Sequence, residues 1–297
     1  MRWYSNHNVR SAIATMMKGR EAIWAQYPSS GDKPFWVRRT RAESGSSVKY
    51  WVDTLNPEYN SIGAFIGTNI IDWSAIDILP PSLRTAGFSR NQYKKIWNQY
   101  LTPRGCEYRG LVWEDIWVGK SLLFDFDNPK RPMVAFQKAD MVARYLENKL
   151  DAKVFMVFSG SKGFHVHVSV EDSLRITGVV FKEFKDKKDP LKTIGQIYAD
   201  KVMEIASKAG VNYATEDRSS NFRQGIVRCP YSIHPKTGQV VWPLSEKNRQ
   251  DLKVAKDLDI MGIAELLHPW DIPCQSHLPD GDIVTYITPE YKLSQYN

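Results

Sequence analysis

Apolar residues recur at helical spacing over 10–27, RSAIATMMKGREAIWAQY, and Pro28 stops the run, which predicts an N-terminal helix. Residues 34–53 and 62–71, rich in Trp, Val, Tyr and Ile, predict extended segments. SRNQYKKIWNQYL, 89–101, predicts a helix capped by Ser89 and broken by Pro103. The texture changes after residue 110. SLLFDFD predicts a strand, and 132–150 an amphipathic helix with Pro132 in its first turn. AKVFMVFSG and FHVHVSV predict two more strands, joined by a glycine-containing turn at 160–163. A helix follows over 188–209, overlapping a charged, solvated connection at 181–192. GIVRCPYSIHPKTGQVVWPL then reads as strand, turn and strand, and the chain after about 250 as a helix and a polar tail. This β-α-β-β series predicts an α+β fold of mixed sheets with packed helices. The pattern contains no internal repeat.

Composition narrows the classes. A chain of 297 residues, 42% hydrophobic, can bury one large core or two modest ones. Its formal charge of +7 suits a phosphate-rich partner. The three cysteines, Cys106, Cys229 and Cys274, are scattered, and no CxxC pair occurs. A four-cysteine zinc site is excluded, and reduced thiols in the cytoplasm are expected. No apolar run approaches the roughly 20 residues that cross a bilayer. The start MRWYSNHNVR lacks a signal-peptide core, so no membrane partner is expected.

Three clusters carry chemistry. Asp125 and Asp127 alternate along a strand, so both carboxylates share one face while Phe124 and Phe126 take the other. Paired carboxylates repel, and a bound Mg²⁺ or Mn²⁺ relieves them. Two solvated aspartates at a strand end would give the same pattern. In SGSKGFHVHV, 159–168, His165 and His167 share a face. Gly160 and Gly163 permit close backbone approach, and Ser159 and Lys162 can donate to an anion. In RCPYSIHPKTG, 228–238, Arg228, His234 and Lys236 surround a turn able to grip a triphosphate. Either turn could equally be a surface hairpin. Together the clusters match metal-assisted nucleotidyl transfer.

In their order and spacing, FDFD, SGSKGFHVHV and IVRCPYSIHPKTG resemble the catalytic subunit of the archaeo-eukaryotic primase superfamily over about 115–245. YSNHNVR and KGRE are a vaguer match in the N-terminal third. The resemblance implies a primase catalytic core with an RRM-like subdomain. It implies that Asp125 and Asp127 bind two catalytic Mg²⁺ or Mn²⁺ ions, and that Ser159, Lys162 and His165 contact the incoming nucleotide. His234 and Lys236 would hold the triphosphate, Arg228 would orient template or nucleotide, and His167 would support them. The family's third acid precedes its Arg-x-Pro segment. Here Phe222 stands at that count, and Asp217 is the candidate, with Glu216 second. The family's zinc knuckle has no Cys/His cluster to form it, so no structural zinc is expected and a plasmid or viral branch is implied.

The expected units are 1–114, an N-terminal part of the domain; 115–245, the catalytic core; and 246–297, a helix and tail, all in one compact body. The expected partners are nucleoside triphosphates, a single-stranded DNA template, and a helicase or further primase domains or subunits. Arg38, Arg39 and Arg41, among aromatics in FWVRRTR, are candidates for the template backbone. Two other readings remain: a metal-dependent nuclease or phosphohydrolase using His165 and His167, and a non-catalytic replication factor that binds nucleic acid.

Overall fold

The computed structural model describes residues 2–27, 33–55, 61–71, 117–184, 190–214, 216, 221–222, 225–255 and 257–267. The chain opens with α1 (Arg2–Ser5) and α2 (His7–Met17). The Asn6 side chain caps α2 by accepting from Asn8 N–H at 2.8 Å. The helix expected over 10–27 ends early. Gly19 turns the chain at φ +70°, and residues 20–27 form strand β1 (Arg20–Tyr27). Every residue from Arg20 to Gln26 is buried. A short, uninterrupted apolar run such as AIWA suits a strand covered on both faces as well as it suits a helix.

Strand β2 (Phe35–Thr40) pairs with β1. Residues expected to continue extended instead form α3 (Gly45–Thr54), where Ser44 Oγ accepts from Ser47 N–H at 3.1 Å. Its buried residues, Val48 and Trp51, lie three apart, a helical spacing that the aromatic content obscures. Strand β3 (Ser61–Ile71) agrees with the pattern. With β4 (Trp117–Lys120) these strands form a sheet in the order β2-β1-β3-β4. The helix expected over 89–101 and the boundary at 114 lie outside the described residues.

The second sheet begins with β5 (Leu123–Asp127) and α4 (Pro132–Leu150). Next come β6 (Val154–Phe158), β7 (Gly163–Val168), α5 (Val170–Thr177) and α6 (Pro190–Lys208). Strands β8 (Ile226–Arg228) and β9 (Trp242–Pro243) precede α7 (Glu246–Ala255) and α8 (Ile260–Leu267). The strand order is β5-β7-β6-β9, and every strand pairing among the described residues is antiparallel. The series β5-α4-β6-β7-α6-β9 is a split β-α-β-β-α-β pattern. The segment 225–244 folds back on itself as expected, through an antiparallel bridge between Ile233 and Val240, and its ends also join the two sheets: β8 pairs with β3 in the first, and β9 with β6 in the second.

One face of the second sheet, with Phe124, Phe126, Phe164 and Val166, packs on Phe136 and Val142 of α4 and on Tyr198 and Val202 of α6. Leu123, Phe155 and Val157 on the other face join Trp24, Ala64 and Ile66 of the first sheet and Ile13 and Met17 of α2 in a second core. The α+β class expected from the pattern is what the chain adopts.

Candidate active site

The acid strand β5 lies beside β7, and their register places Asp125 opposite His165 and Asp127 opposite Gly163. His165 Nε2 is 3.5 Å from Asp125 Oδ1, and Lys162 Nζ is 2.6 Å from Asp127 Oδ2. At Gly163 the chain itself makes a close approach. A Cβ there would sit 2.1 Å from Phe126 O and 2.3 Å from Asp127 Oδ1, so glycine is what allows β7 to meet the end of the acid strand. Burial pushes the His165 imidazole down to about 4; the Asp127 carboxylate opposes this and the Arg228 guanidinium adds to it. His167 is pushed well below its ordinary value by burial, then by His165 and Arg20. Both rings are therefore neutral near pH 7.

The turn after β6 is fixed from within. Ser159 Oγ accepts from Gly163 N–H at 3.2 Å, and Ser159 N–H donates to Gly163 O at 2.9 Å. Gly160, at φ +75°, packs against the second basic turn, where an added Cβ would come within 2.9 Å of His234 Cβ. The Thr237 hydroxyl crosses between the turns to donate to Gly160 O at 2.5 Å. His234 Nδ1 lies 3.3 Å from Thr237 N and 3.1 Å from Thr237 Oγ1, so the same residue anchors both the first turn and the imidazole. Burial lowers His234 to about 4, and the positive charges of Arg228, Lys236 and Lys162 lower it further. Lys236 is exposed at the tip.

Arg228 is paired in register with Phe65 on β3, and its guanidinium lies 4.9 Å from the Phe65 ring centre. Burial lowers its pKa, and Tyr27, Asp125 and Asp127 act in the opposite direction. The structure thus brings Asp125, Asp127, Ser159, Lys162, His165, Arg228, His234 and Lys236 into one neighbourhood. Glu216 is there too, but engaged: its carboxylate takes Lys138 Nζ of α4 at 2.5 Å and accepts from Asp127 N–H at 3.4 Å. Asp217 lies outside the described residues. Arg38 and Arg39 belong to β2, and Arg41 just beyond it pairs with Glu43 at 2.7 Å.

The sequence pattern missed two features. Lys120 is buried at the end of β4, donating to Thr68 Oγ1 at 2.7 Å and to Asn69 Oδ1 and Phe222 O at 3.1 Å. Burial, then repulsion from Arg20, lowers it to about 7. A lysine inside the apolar run VGKSLLF was the available signal. Tyr213 and Asn221, which bond the backbone of the acid strand, follow no periodicity and left no signal.

Among the described residues, no three His, Cys, Asp or Glu side chains converge to hold a metal ion. Two carboxylates on one strand face are nonetheless an all-oxygen donor pair of the kind Mg²⁺ or Mn²⁺ takes. They fit as part of such a ligand set.

The sequence profile of the DNA primase small subunit family matches residues 124–246, which run from the acid strand through the second basic turn. The DNA primase small subunit PriS of Pyrobaculum islandicum is 29% identical over 182 residues, covering 48% of this chain and 56% of that protein. A DNA primase small subunit-like protein of Archaeoglobus fulgidus is 25% identical over 181 residues, 53% of this chain and 56% of its own length. The match thus spans little more than half of these relatives. The polymerase domain of Mycobacterium tuberculosis Ligase D, solved in complex with DNA, shares the fold with a TM-score of 0.50 at 14% identity, over 89% of this chain and 85% of that one. Among the described residues, no helix is long and apolar enough to cross a membrane. The motifs and the profile agree on residues 124–246, a segment similar to the DNA primase small subunit family, and the fold is the one shared with the Ligase D polymerase domain.

Proposed function

We propose that this chain joins nucleoside triphosphates on a single-stranded DNA template with release of pyrophosphate, as a primase or primase-polymerase that starts replication. The observation that carries this reading is the convergence of the acid strand with two basic turns that are bonded to each other. Lys162 touches Asp127, and Thr237 of the second turn holds Gly160 of the first. Asp125 and Asp127 bind Mg²⁺ or Mn²⁺, with Asp217 as the third acid, because Glu216 is committed to Lys138 and the Asp127 backbone. The ions supply activation of the attacking 3′-hydroxyl and charge relief at the leaving pyrophosphate, in a two-metal arrangement. Ser159 and Lys162 bind the nucleotide phosphates. When a triphosphate enters, Lys162 exchanges Asp127 for phosphate oxygen. His165, neutral and opposite Asp125, orients the nucleotide, and His234 binds the triphosphate beside Lys236. Arg228 positions nucleotide or template, and Arg38, Arg39 and Arg41 attract the template backbone. The catalytic segment 115–245 works as part of one unit with the residues before and after it. A cytoplasmic setting and a helicase or further primase subunit as partner fit this role.

The test is primer synthesis on single-stranded DNA with labelled ribo- and deoxyribonucleoside triphosphates and Mn²⁺. The unsubstituted chain should form dinucleotides and longer products. The Asp125→Ala, Asp127→Ala protein should form none while keeping its circular dichroism spectrum. Full synthesis by that variant would overturn the assignment of the metal strand.

A further inference from the structure

Among the described residues, strand β5 lies at the edge of its sheet, paired with β7 on one side. An edge strand presents a row of backbone N–H and C=O groups that need partners. Along β5 three side chains supply them at every second residue. The Asn221 amide accepts from Leu123 N–H at 3.0 Å and donates to Leu123 O at 2.5 Å, as a neighbouring strand would. The Tyr213 hydroxyl accepts from Asp125 N–H at 2.7 Å and donates to Asp125 O at 3.2 Å. The Glu216 carboxylate accepts from Asp127 N–H. Asn221 and Tyr213 are buried, and the Tyr213 ring stands edge-on to Phe124 and Phe126 at 5.9 and 5.2 Å.

Backbone polar groups alternate between the two edges of an antiparallel strand, as side chains alternate between its faces. The residues whose carboxylates enter the site are therefore the residues whose backbone faces the open edge. A backbone partner strand would fix the twist of β5; here three side chains do so. We propose that Tyr213, Asn221 and Glu216 are positioning residues for the Asp125–Asp127 pair, setting the aim of the two carboxylates by pairing the open edge of their strand. The proposal rests on reading those aspartates as metal ligands.

Binding of Mn²⁺ to the full chain, followed by electron paramagnetic resonance, tests it without requiring turnover. Tyr213→Phe keeps the ring in its aromatic slot and removes the hydroxyl. Asn221→Asp keeps the shape and removes the donor to Leu123 O. Each should weaken Mn²⁺ binding tenfold or more. Ser173→Ala is the control: Ser173 Oγ accepts from Leu122 N–H at 2.8 Å, immediately before the strand and away from the carboxylates. It should lower the melting temperature comparably and leave Mn²⁺ affinity within twofold. Should Asn221→Asp fail to fold, Tyr213→Phe decides alone. Unsubstituted chain that binds Mn²⁺, with Tyr213→Phe binding it within twofold as tightly, would overturn the positioning role and spare the metal strand. Unsubstituted chain that binds no Mn²⁺ would overturn the metal strand, and this inference with it.

Discussion

The two faces of the second sheet share the same strands and do opposite work. On one face Phe124, Phe126, Phe164 and Val166 are fully buried against α4 and α6. On the other, at alternate positions, Asp125, Asp127, His165 and His167 sit together. The first face gains stability from burial of apolar surface. The second also buries Leu123, Phe155 and Val157, but between them it holds two neighbouring carboxylates and two imidazoles whose desolvation opposes folding. The same β-alternation that builds the core thus delivers the chemistry, and adjacent residues should respond to substitution in contrasting ways. Phe126→Ala should lower stability by about 3–5 kcal/mol, through lost burial and the cavity left behind. Its neighbour Asp127→Ala should cost under about 1 kcal/mol, because the half-exposed pair with Lys162 behaves as a surface ion pair, yet it should abolish primer synthesis. Urea unfolding of the two variants checks this; equal stability losses would break the contrast.

The site face should also be the part of the sheet that responds to mild acid. His165 and His234 are held down to about 4, chiefly by burial, against an ordinary value near 6.5. Between those limits the unfolded chain binds protons that the folded chain refuses. Stability is therefore complete above about pH 6.5 and falls as pH drops toward 4, by on the order of 2–3 kcal/mol for His165 alone. Asp140 and Asp172, whose carboxyls lie below their ordinary values, contribute their own losses from about pH 4 downward, so the two windows separate. Urea midpoints at pH 7 and pH 4.5 measure the drop, which His165→Gln should shrink. An unchanged drop in that variant would place the acid-sensitive groups elsewhere.

How far the sequence reveals this arrangement depends on whether neighbouring residues decide it. Strand alternation is local, so FDFD and FHVHV disclosed both faces, and Pro132 and the following periodicity disclosed α4 to its last residue. The first 55 residues were less legible. AIWA carries no period that separates helix from strand, and the strand is chosen by β2 and β3, which flank β1. The turn of the segment 225–244 was legible, and residues 231–241 do pair across it, but where its two ends go was not. Their partners, β3 and β6, lie in different sheets, which no local pattern records. The glycines of SGSKG were recognisable as a site of close approach, but not as a contact of chain with chain. The neighbours that crowd them, Phe126 and His234, are distant in sequence. Tyr213 and Asn221 were invisible for the same reason.

The bond between the two basic turns is the smallest feature of the site face that can be tested alone. Thr237→Val keeps the shape of the side chain and removes the hydroxyl that reaches Gly160 O. The contact of the same hydroxyl with His234 Nδ1 goes too, while the Thr237 N–H beside that nitrogen remains, since it belongs to the backbone. One neutral hydrogen bond at a half-buried position contributes about 1 kcal/mol, so the melting temperature should fall by a few degrees. The functional effect should be selective. With the second turn no longer held against the first, His234 and Lys236 lose their placement relative to Ser159 and Lys162, while Asp125 and Asp127 keep theirs. KM for the nucleoside triphosphate should rise severalfold, with kcat at saturating nucleotide close to that of the unsubstituted chain. A loss confined to kcat would mean that the second turn acts on the acid strand rather than on the triphosphate, and the division of labour between acids and turns would have to be redrawn.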